Sequence, residues 1–237
     1  MTPDQLLARL LYRDALMLVI DKPAGIPVHK GTGGGENLEQ YFDALRFGLP
    51  RTPALAHRLD RDTSGCLVLG RHRQALAKLA KLFENNRVKK TYWAIVSGKP
   101  PEPEGIIDLP LEKQNKDTSR WHMKVAESGG LPAVTHYKVM GEADGISWLE
   151  LYPQTGRTHQ LRVHLATISC PILGDKIYGQ RASTLMQLHA RAIEIPLYPK
   201  KDPINVCAPA PEHMLELLEK CGFNSASDDT APSAHRA

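Results

Sequence analysis

One junction constrains this chain more than any other feature. The ten residues Ala56-His57-Arg58-Leu59-Asp60-Arg61-Asp62-Thr63-Ser64-Gly65 carry four charged side chains and a histidine, and they run straight into the apolar Cys66-Leu67-Val68-Leu69. Such charges cannot be dissolved in a core, because an ionised group is stable away from water only when paired and hydrogen-bonded. The apolar run is suited to one. The boundary therefore predicts a loop held at the lip of a sheet, a place where scaffolds often present catalytic side chains. Asp60 and Asp62 lie two apart beside Arg58 and Arg61, and Thr63-Ser64-Gly65 supplies hydroxyls and a flexible residue for a tight turn. Taken alone, the stretch reads as a charged turn with local ion pairs, and the later segments change that.

At 237 residues the chain is long enough for a sizeable core. A single domain over 1–223 is expected, with a polar, disordered tail over 224–237. The 42% hydrophobic and 24% charged residues are those of an ordinary globule. No run approaches the roughly 18 apolar residues of a membrane span, and Met1-Thr2-Pro3-Asp4-Gln5 lacks a signal-peptide pattern. Cys66, Cys170, Cys207 and Cys221 are scattered without a C-x-x-C pair. That argues against a zinc site or a disulfide framework and suits a reducing, cytoplasmic setting. A net charge of +4 and a pI near 8.8 permit a polyanionic partner without requiring one.

Along the chain, Thr2-Pro3 reads as a helix start. An apolar run at 16–20 reads as a buried strand stopped by Asp21-Lys22-Pro23-Ala24-Gly25. Gly31-Thr32-Gly33-Gly34-Gly35 lacks the lysine and hydroxyl of a phosphate-binding loop. Helices are predicted over 36–47 and 72–86, the second with Leu76, Leu79, Ala80 and Phe83 as its apolar stripe. Its flank is basic: Arg71, Arg73, Lys78, Lys81, Arg87, Lys89 and Lys90 face the single acid Glu84, either as a solvated face or as a phosphate-contacting one. The stretch 88–98 reads as a strand with Tyr92, Ala94 and Val96 on one face, Trp93 and Ile95 on the other. A connection over 100–105, a polar loop over 114–120 and a strand pair at 133–140 and 146–152 follow. From Thr158 the spacing is helical, yet Arg157, His159, Arg162 and His164 cannot all face a core. His159 and His164 stand five apart, not the four of a zinc-binding helix. A turn-rich link at 171–179, a strand at 188–195 and a helix at 211–220 complete the reading.

Several of these segments, in this order, resemble the RluA family of pseudouridine synthases. The family string H-R-L-D-x-x-T-S-G matches from His57 to Gly65, K/R-x-Y-x-A-x-V-x-G from Lys90 to Gly98, and T-G-R-x-H-Q-[IL]-R-x-H from Thr155 to His164. D-K-P-A-G-x-P-V-H matches from Asp21 to His29, and P-I-x-G-D-x-x-Y-G from Pro171 to Gly179. Many relatives carry an N-terminal S4 RNA-binding domain. Here the first strand begins near residue 16, so the resemblance is to the compact branch without one. It implies an α+β fold with a mixed, largely antiparallel central sheet, flanking helices and an RNA-binding cleft.

The implied reaction converts uridine to pseudouridine within folded RNA, without cofactor or metal. Asp60 matches the essential aspartate. A carboxylate can attack the anomeric carbon, as in a retaining glycosidase, or remove a ribose proton to give a glycal; both routes stay open. Arg162 matches an arginine expected to pair with Asp60 and favour its charge. Tyr92 matches the active-site tyrosine, better suited to stacking on uracil than to acting as a base with a phenol pKa of about 10. A stacked uridine must first be flipped out. Arg58 is expected to fill the vacated space, His57 and Thr63 to shape the loop, and Arg157 to touch phosphate or hold its own loop. Lys78, Lys81, Lys89 and Lys90 are expected on the RNA backbone. The expected partner is structured ribosomal or transfer RNA, bound by a monomer away from membranes, with loops 31–35 and 114–120 setting the choice. The alternative is a non-catalytic RNA-binding or assembly protein on the same fold, which has no need of an ionised carboxylate facing a polyanion.

Overall fold

Short apolar runs bounded by glycine, proline and asparagine become strands, and longer periodic ones become helices. The computed structural model describes residues 1–30, 34–114, 122–179 and 184–225. In chain order the elements are α1 (Pro3–Leu7), β1 (Leu10–Arg13), β2 (Met17–Lys22), a 3-10 helix (Leu38–Leu45), β3 (Ala54–Leu55), β4 (Ser64–Gly70) and α2 (Arg73–Glu84). Next come β5 (Lys89–Ser97), β6 (Glu104–Asp108), β7 (Leu111–Gln114), β8 (His122–Val125), β9 (Val134–Ala143) and β10 (Ile146–Pro153). The chain ends with α3 (Gln160–Thr167), β11 (Leu188–Ile195), β12 (Ile204–Cys207) and α4 (Glu212–Lys220). The fold is α+β, with a mixed, mostly antiparallel sheet. Two compact units result, one from Met1–Lys89 with Ala190–Pro209, the other from Lys90–His189 with the segment that carries α4.

In the first unit, β2 pairs antiparallel with β1 on one side and β4 on the other, in a register that sets Met17 opposite Gly70 and Lys22 opposite Gly65. All seven residues of β4 are buried, which is why it reads as an apolar run rather than an alternation. Met17, Val19, Cys66, Val68, Leu79, Ile193 and Ile195 form the core on one face. Helix α2 buries Ala75 and Leu79 and is capped by His72, whose ring nitrogen accepts from the Ala75 N–H. The helix predicted over 36–47 is instead a 3-10 helix with Leu38, Phe42 and Leu45 inside, started without a side-chain cap from Asn37.

In the second unit, β10 pairs antiparallel with β5 and β9, and β9 with β6. The β9–β10 hairpin closes on Asp144-Gly145, both at positive φ, as a tight two-residue turn requires. One face of β5 packs Ala94 and Val96, with Tyr92 beside them, against Leu149, Leu161 and Leu165. Its other face packs Trp93 and Ile95 against Trp148, Met214, Leu218 and Phe223. The faces match the period-two expectation. Strand β6 takes up the end of the stretch read as a connection, and β7 and β8 form a small hairpin of their own. Strands of four or five residues carry too few alternations to stand out. The predicted loop 114–120 lies outside the described residues except Gln114, as do residues 31–33 of the glycine loop and the tail beyond 225.

Gly65 is where the first unit leaves no room for a side chain. It has φ of +104°, and a Cβ there would collide with the backbone carbonyl of Ala190. Gly65→Ala is expected to cost about 2 to 4 kcal/mol and to lower the melting temperature by on the order of 10 °C. A thermal melt within a degree or two of wild type would show that the backbone yields at this point.

Candidate active site

The site residues fall in both units, and each group is set by its own unit. In the first, the Thr63 N–H donates to the Asp60 carbonyl at 3.2 Å and closes the turn that presents the half-buried Asp60. Beneath the turn lies Lys22, fully buried, which sequence reasoning had left without a role. Its Nζ donates to the carbonyls of Pro23, Arg61 and Thr63, each at 2.8 Å. An ammonium has three N–H donors and these three acceptors use them all. Arg61 returns the connection: its Nε donates to the Gly25 carbonyl at 2.9 Å, and the Gly25 N–H donates to the Arg61 carbonyl at 3.0 Å. The opening string at Asp21 and the string at His57 are thus one laced structure.

Burial pushes the Lys22 ammonium down to about 7, against the nearby charges of Asp62, Asp60 and Asp21, which raise it. His57 sits against the strand that follows: its Nε2 accepts from the Val68 N–H at 3.0 Å, and its ring stacks on Phe83 at 4.6 Å. Thr63 is buried and contributes its carbonyl to Lys22. The Arg58 side chain is exposed and makes no ion pair among the described residues.

In the second unit, Tyr92 stands on β5 two residues after Lys90. Lys90 turns inward. Its Nζ donates to the Thr155 carbonyl at 3.1 Å, and burial pushes it down to about 8. Lys89, by contrast, is exposed and pairs with Glu194 at 3.0 Å within the first unit. Arg157 holds its own loop by donating from Nε to the Pro132 carbonyl at 3.0 Å.

Helix α3 has no simple apolar stripe, because Gln160 through Leu165 are all buried. Its polar members are satisfied inside. Gln160 Oε1 accepts from the Thr155 hydroxyl and the Arg157 N–H, while Nε2 donates to the Val134 carbonyl and Thr135 Oγ1. His164 Nε2 bonds to the Leu109 carbonyl, which can only accept, so that nitrogen carries a proton. Its Nδ1 meets Thr135 Oγ1, and burial lowers the His164 pKa, favouring the neutral ring.

Arg162 is buried against Asp175 in a two-pronged ion pair, Nε to Oδ2 at 2.7 Å and a terminal nitrogen to Oδ1 at 2.8 Å. Burial pushes the Asp175 carboxyl upward, but the Arg162 bond and charge and the N–H groups of Ile177 and Tyr178 outweigh it and hold it below the usual range. Lys22, Asp175 and Tyr178 are the members the sequence reading missed. All three lie inside strings it had matched, so their signal was present without a role attached. Among the described residues no His, Cys, Asp or Glu cluster forms a metal ligand set, and no helix is long and apolar enough to cross a membrane.

Residues 16–167 match the family described as RNA pseudouridylate synthase. The chain is 46% identical over 213 residues to a Zymomonas mobilis protein described as an uncharacterized RNA pseudouridine synthase, covering 88% of this chain and 96% of that one. It is 35% identical over 246 residues to the ribosomal large subunit pseudouridine synthase D of Xanthomonas campestris, covering 94% of this chain and 72% of that one. Among solved structures it resembles human RNA pseudouridylate synthase domain containing 4, with a TM-score of 0.77 and 27% identity over 92% of this chain and 95% of the other.

The Lys22 anchor predicts a pH signature. Folded, Lys22 holds its proton less tightly than in an unfolded chain, where lysine titrates near 10.4. Between about pH 7 and about pH 10 the unfolded state binds more protons, so the stability carried by this group rises with pH in that window. Lys22→Met removes the ammonium donor from the Pro23, Arg61 and Thr63 carbonyls, leaving Arg61 with the Gly25 N–H, and is expected to cost about 3 kcal/mol at neutral pH. Denaturant titrations of both proteins should show the gap widening towards alkaline pH, by up to roughly 1.4 kcal/mol per unit. A gap that narrows with pH would contradict the burial of a charged Lys22.

Proposed function

The chain belongs to the RNA pseudouridylate synthase family and isomerises uridine to pseudouridine in RNA; we propose that it does so with the Asp60 carboxylate, on uridines of large-subunit ribosomal RNA. The observation that carries the catalytic role is the Asp60 turn itself, a carboxylate at the surface of a loop whose backbone is locked from below by Lys22. In the reaction the C1′–N1 bond breaks, uracil turns, C1′–C5 forms, the C5 proton leaves to solvent and N1 gains a proton. Asp60 meets the ribose at C1′ or C2′. Tyr92 stacks on the flipped base, Arg58 fills the gap it leaves, and Arg162 supplies positive charge. The substrate class is supported by relatives named for the ribosomal large subunit, and transfer RNA is the second candidate. A cytoplasmic setting fits four cysteines that form no disulfide, and a monomer is the simplest assembly.

Docking of RNA is assigned to the exposed face of α2 and the residues after it, where Arg73, Lys78, Lys81, Arg87 and Lys89 all reach solvent. Contacts of this kind act through phosphate charge and release counterions. Replacing Lys78 and Lys81 together by alanine should weaken RNA binding and flatten the plot of log affinity against log salt by about 1 to 2. An unchanged slope would place the RNA elsewhere.

The deciding experiment is tritium release from C5-labelled RNA taken from cells lacking this protein, with ribosomal and transfer fractions kept separate. Wild type is expected to release tritium from the ribosomal fraction, and Asp60→Asn to be slower by about a thousandfold or more while still binding. Release confined to the transfer fraction would move the substrate. Tight binding without release by wild type would leave a binding protein on this fold.

A further inference from the structure

We infer that Asp175 and Tyr178 are positioning residues that aim the Arg162 guanidinium; the inference rests on the reading of Arg162 as part of the catalytic machinery. The Asp175 carboxylate grips the Nε edge of Arg162 with two short bonds, and a fork of that kind fixes rotation within the guanidinium plane. The carboxylate cannot swing, because Oδ1 also accepts the N–H groups of Ile177 at 2.9 Å and Tyr178 at 3.2 Å. Tyr178 sets the plane itself, with the guanidinium carbon 5.1 Å from its ring centroid.

The ring in turn is fixed at its far end. Its hydroxyl accepts the Met123 N–H at 2.8 Å and is hydrogen-bonded to His159 Nδ1 at 2.8 Å. His159 is the residue that begins α3, held at a positive φ of 53° three positions before Arg162. Strand β8, the start of α3 and the turn at 175–178 therefore all bear on one guanidinium. The Nε edge faces Asp175, so the opposite edge is the one this cradle presents. Stability alone is a poor reason for the arrangement, since a buried ion pair is often no better than a well-packed apolar replacement. Orientation is a better one, because a displacement of about 1 Å at a reacting centre costs on the order of a hundredfold in rate.

The test compares Asp175→Asn, Asp175→Glu, Tyr178→Phe and Tyr178→Leu with wild type by steady-state kinetics on the RNA fraction that responds to wild type, alongside thermal melts. Asp175→Asn should lower kcat by about a hundredfold with KM within about threefold. Asp175→Glu, which restores a carboxylate, should recover at least about tenfold of that. Tyr178→Phe keeps the ring and should lose less than Tyr178→Leu. A second readout is independent of turnover: the Arg162 Nε–H resonance in nitrogen-15 spectra, identified by its loss in Arg162→Lys, should exchange slowly in wild type and rapidly in Asp175→Asn.

A kcat for Asp175→Asn within about threefold of wild type would overturn the inference, as would a rise confined to KM. It would also fall if Asp175→Glu melts like wild type yet is no faster than Asp175→Asn. Should Asp175→Asn fail to fold, the glutamate and Tyr178 variants carry the kinetic test. If wild type releases no tritium from any RNA, the functional reading fails by itself, and the protection of the Arg162 Nε–H still decides whether Asp175 holds it.

Discussion

The Asp60 turn depends on one ammonium group. Lys22 ends β2 opposite Gly65, the point where the turn enters β4, and from there its side chain reaches three carbonyls, two of them in the turn. Carbonyls brought together in this way repel one another and, once buried, cost free energy unless a donor meets them. A lysine supplies three donors from one atom. The position of Asp60 is thereby tied to backbone carbonyls gathered on one buried side chain, that of Lys22. Gly65 completes the arrangement, since the Ala190 carbonyl occupies the space where any other residue would place its Cβ.

The second unit solves a similar problem with side chains. The loop ahead of α3 must pass from β10 to a helix buried on almost every face, and each polar group that enters needs a partner. Gln160 meets both the loop and β9, His164 meets Thr135 and Leu109, and Lys90 reaches across from β5 to the Thr155 carbonyl. Networks of this sort rigidify a site when every member is satisfied. They explain why the string from Thr155 to His164 carries so many polar residues on so short a helix. Lys90 is a cation in a basic stretch that serves its own protein's backbone.

Much of this was legible in the order of residues. The charged turn before an apolar strand, the two faces of β5, the strand pair on either side of 141–145 and the helix over 72–86 all follow from local pattern: alternation, turn chemistry and helical spacing act over a few residues. The strings around Asp60, Tyr92 and Arg162 pointed to uridine isomerisation through their resemblance to the RluA family, whereas their residue types alone read as a charged turn, a core aromatic and a polar helix. Strands β6 to β8 were not legible, being too short for their periodicity to show, and nothing local distinguishes a 3-10 helix over Leu38–Leu45 from an α-helix.

The sequence by itself determined which groups the chain can offer: a carboxylate on a turn, a tyrosine on a strand, an arginine on a helix, and a basic face around a second helix. Tertiary structure alone decided what holds each of them. Lys22 and Arg61 are 39 positions apart, and Met123 and Tyr178 are 55 apart. Partnerships over such separations leave no periodic trace, because they are set by which strands lie side by side and not by the residues next in line. For the same reason a lysine in an opening loop became a buried anchor, and an aspartate in a turn-rich link became the partner of Arg162. The free energy of those contacts comes from burial, and burial exists only once the chain has folded.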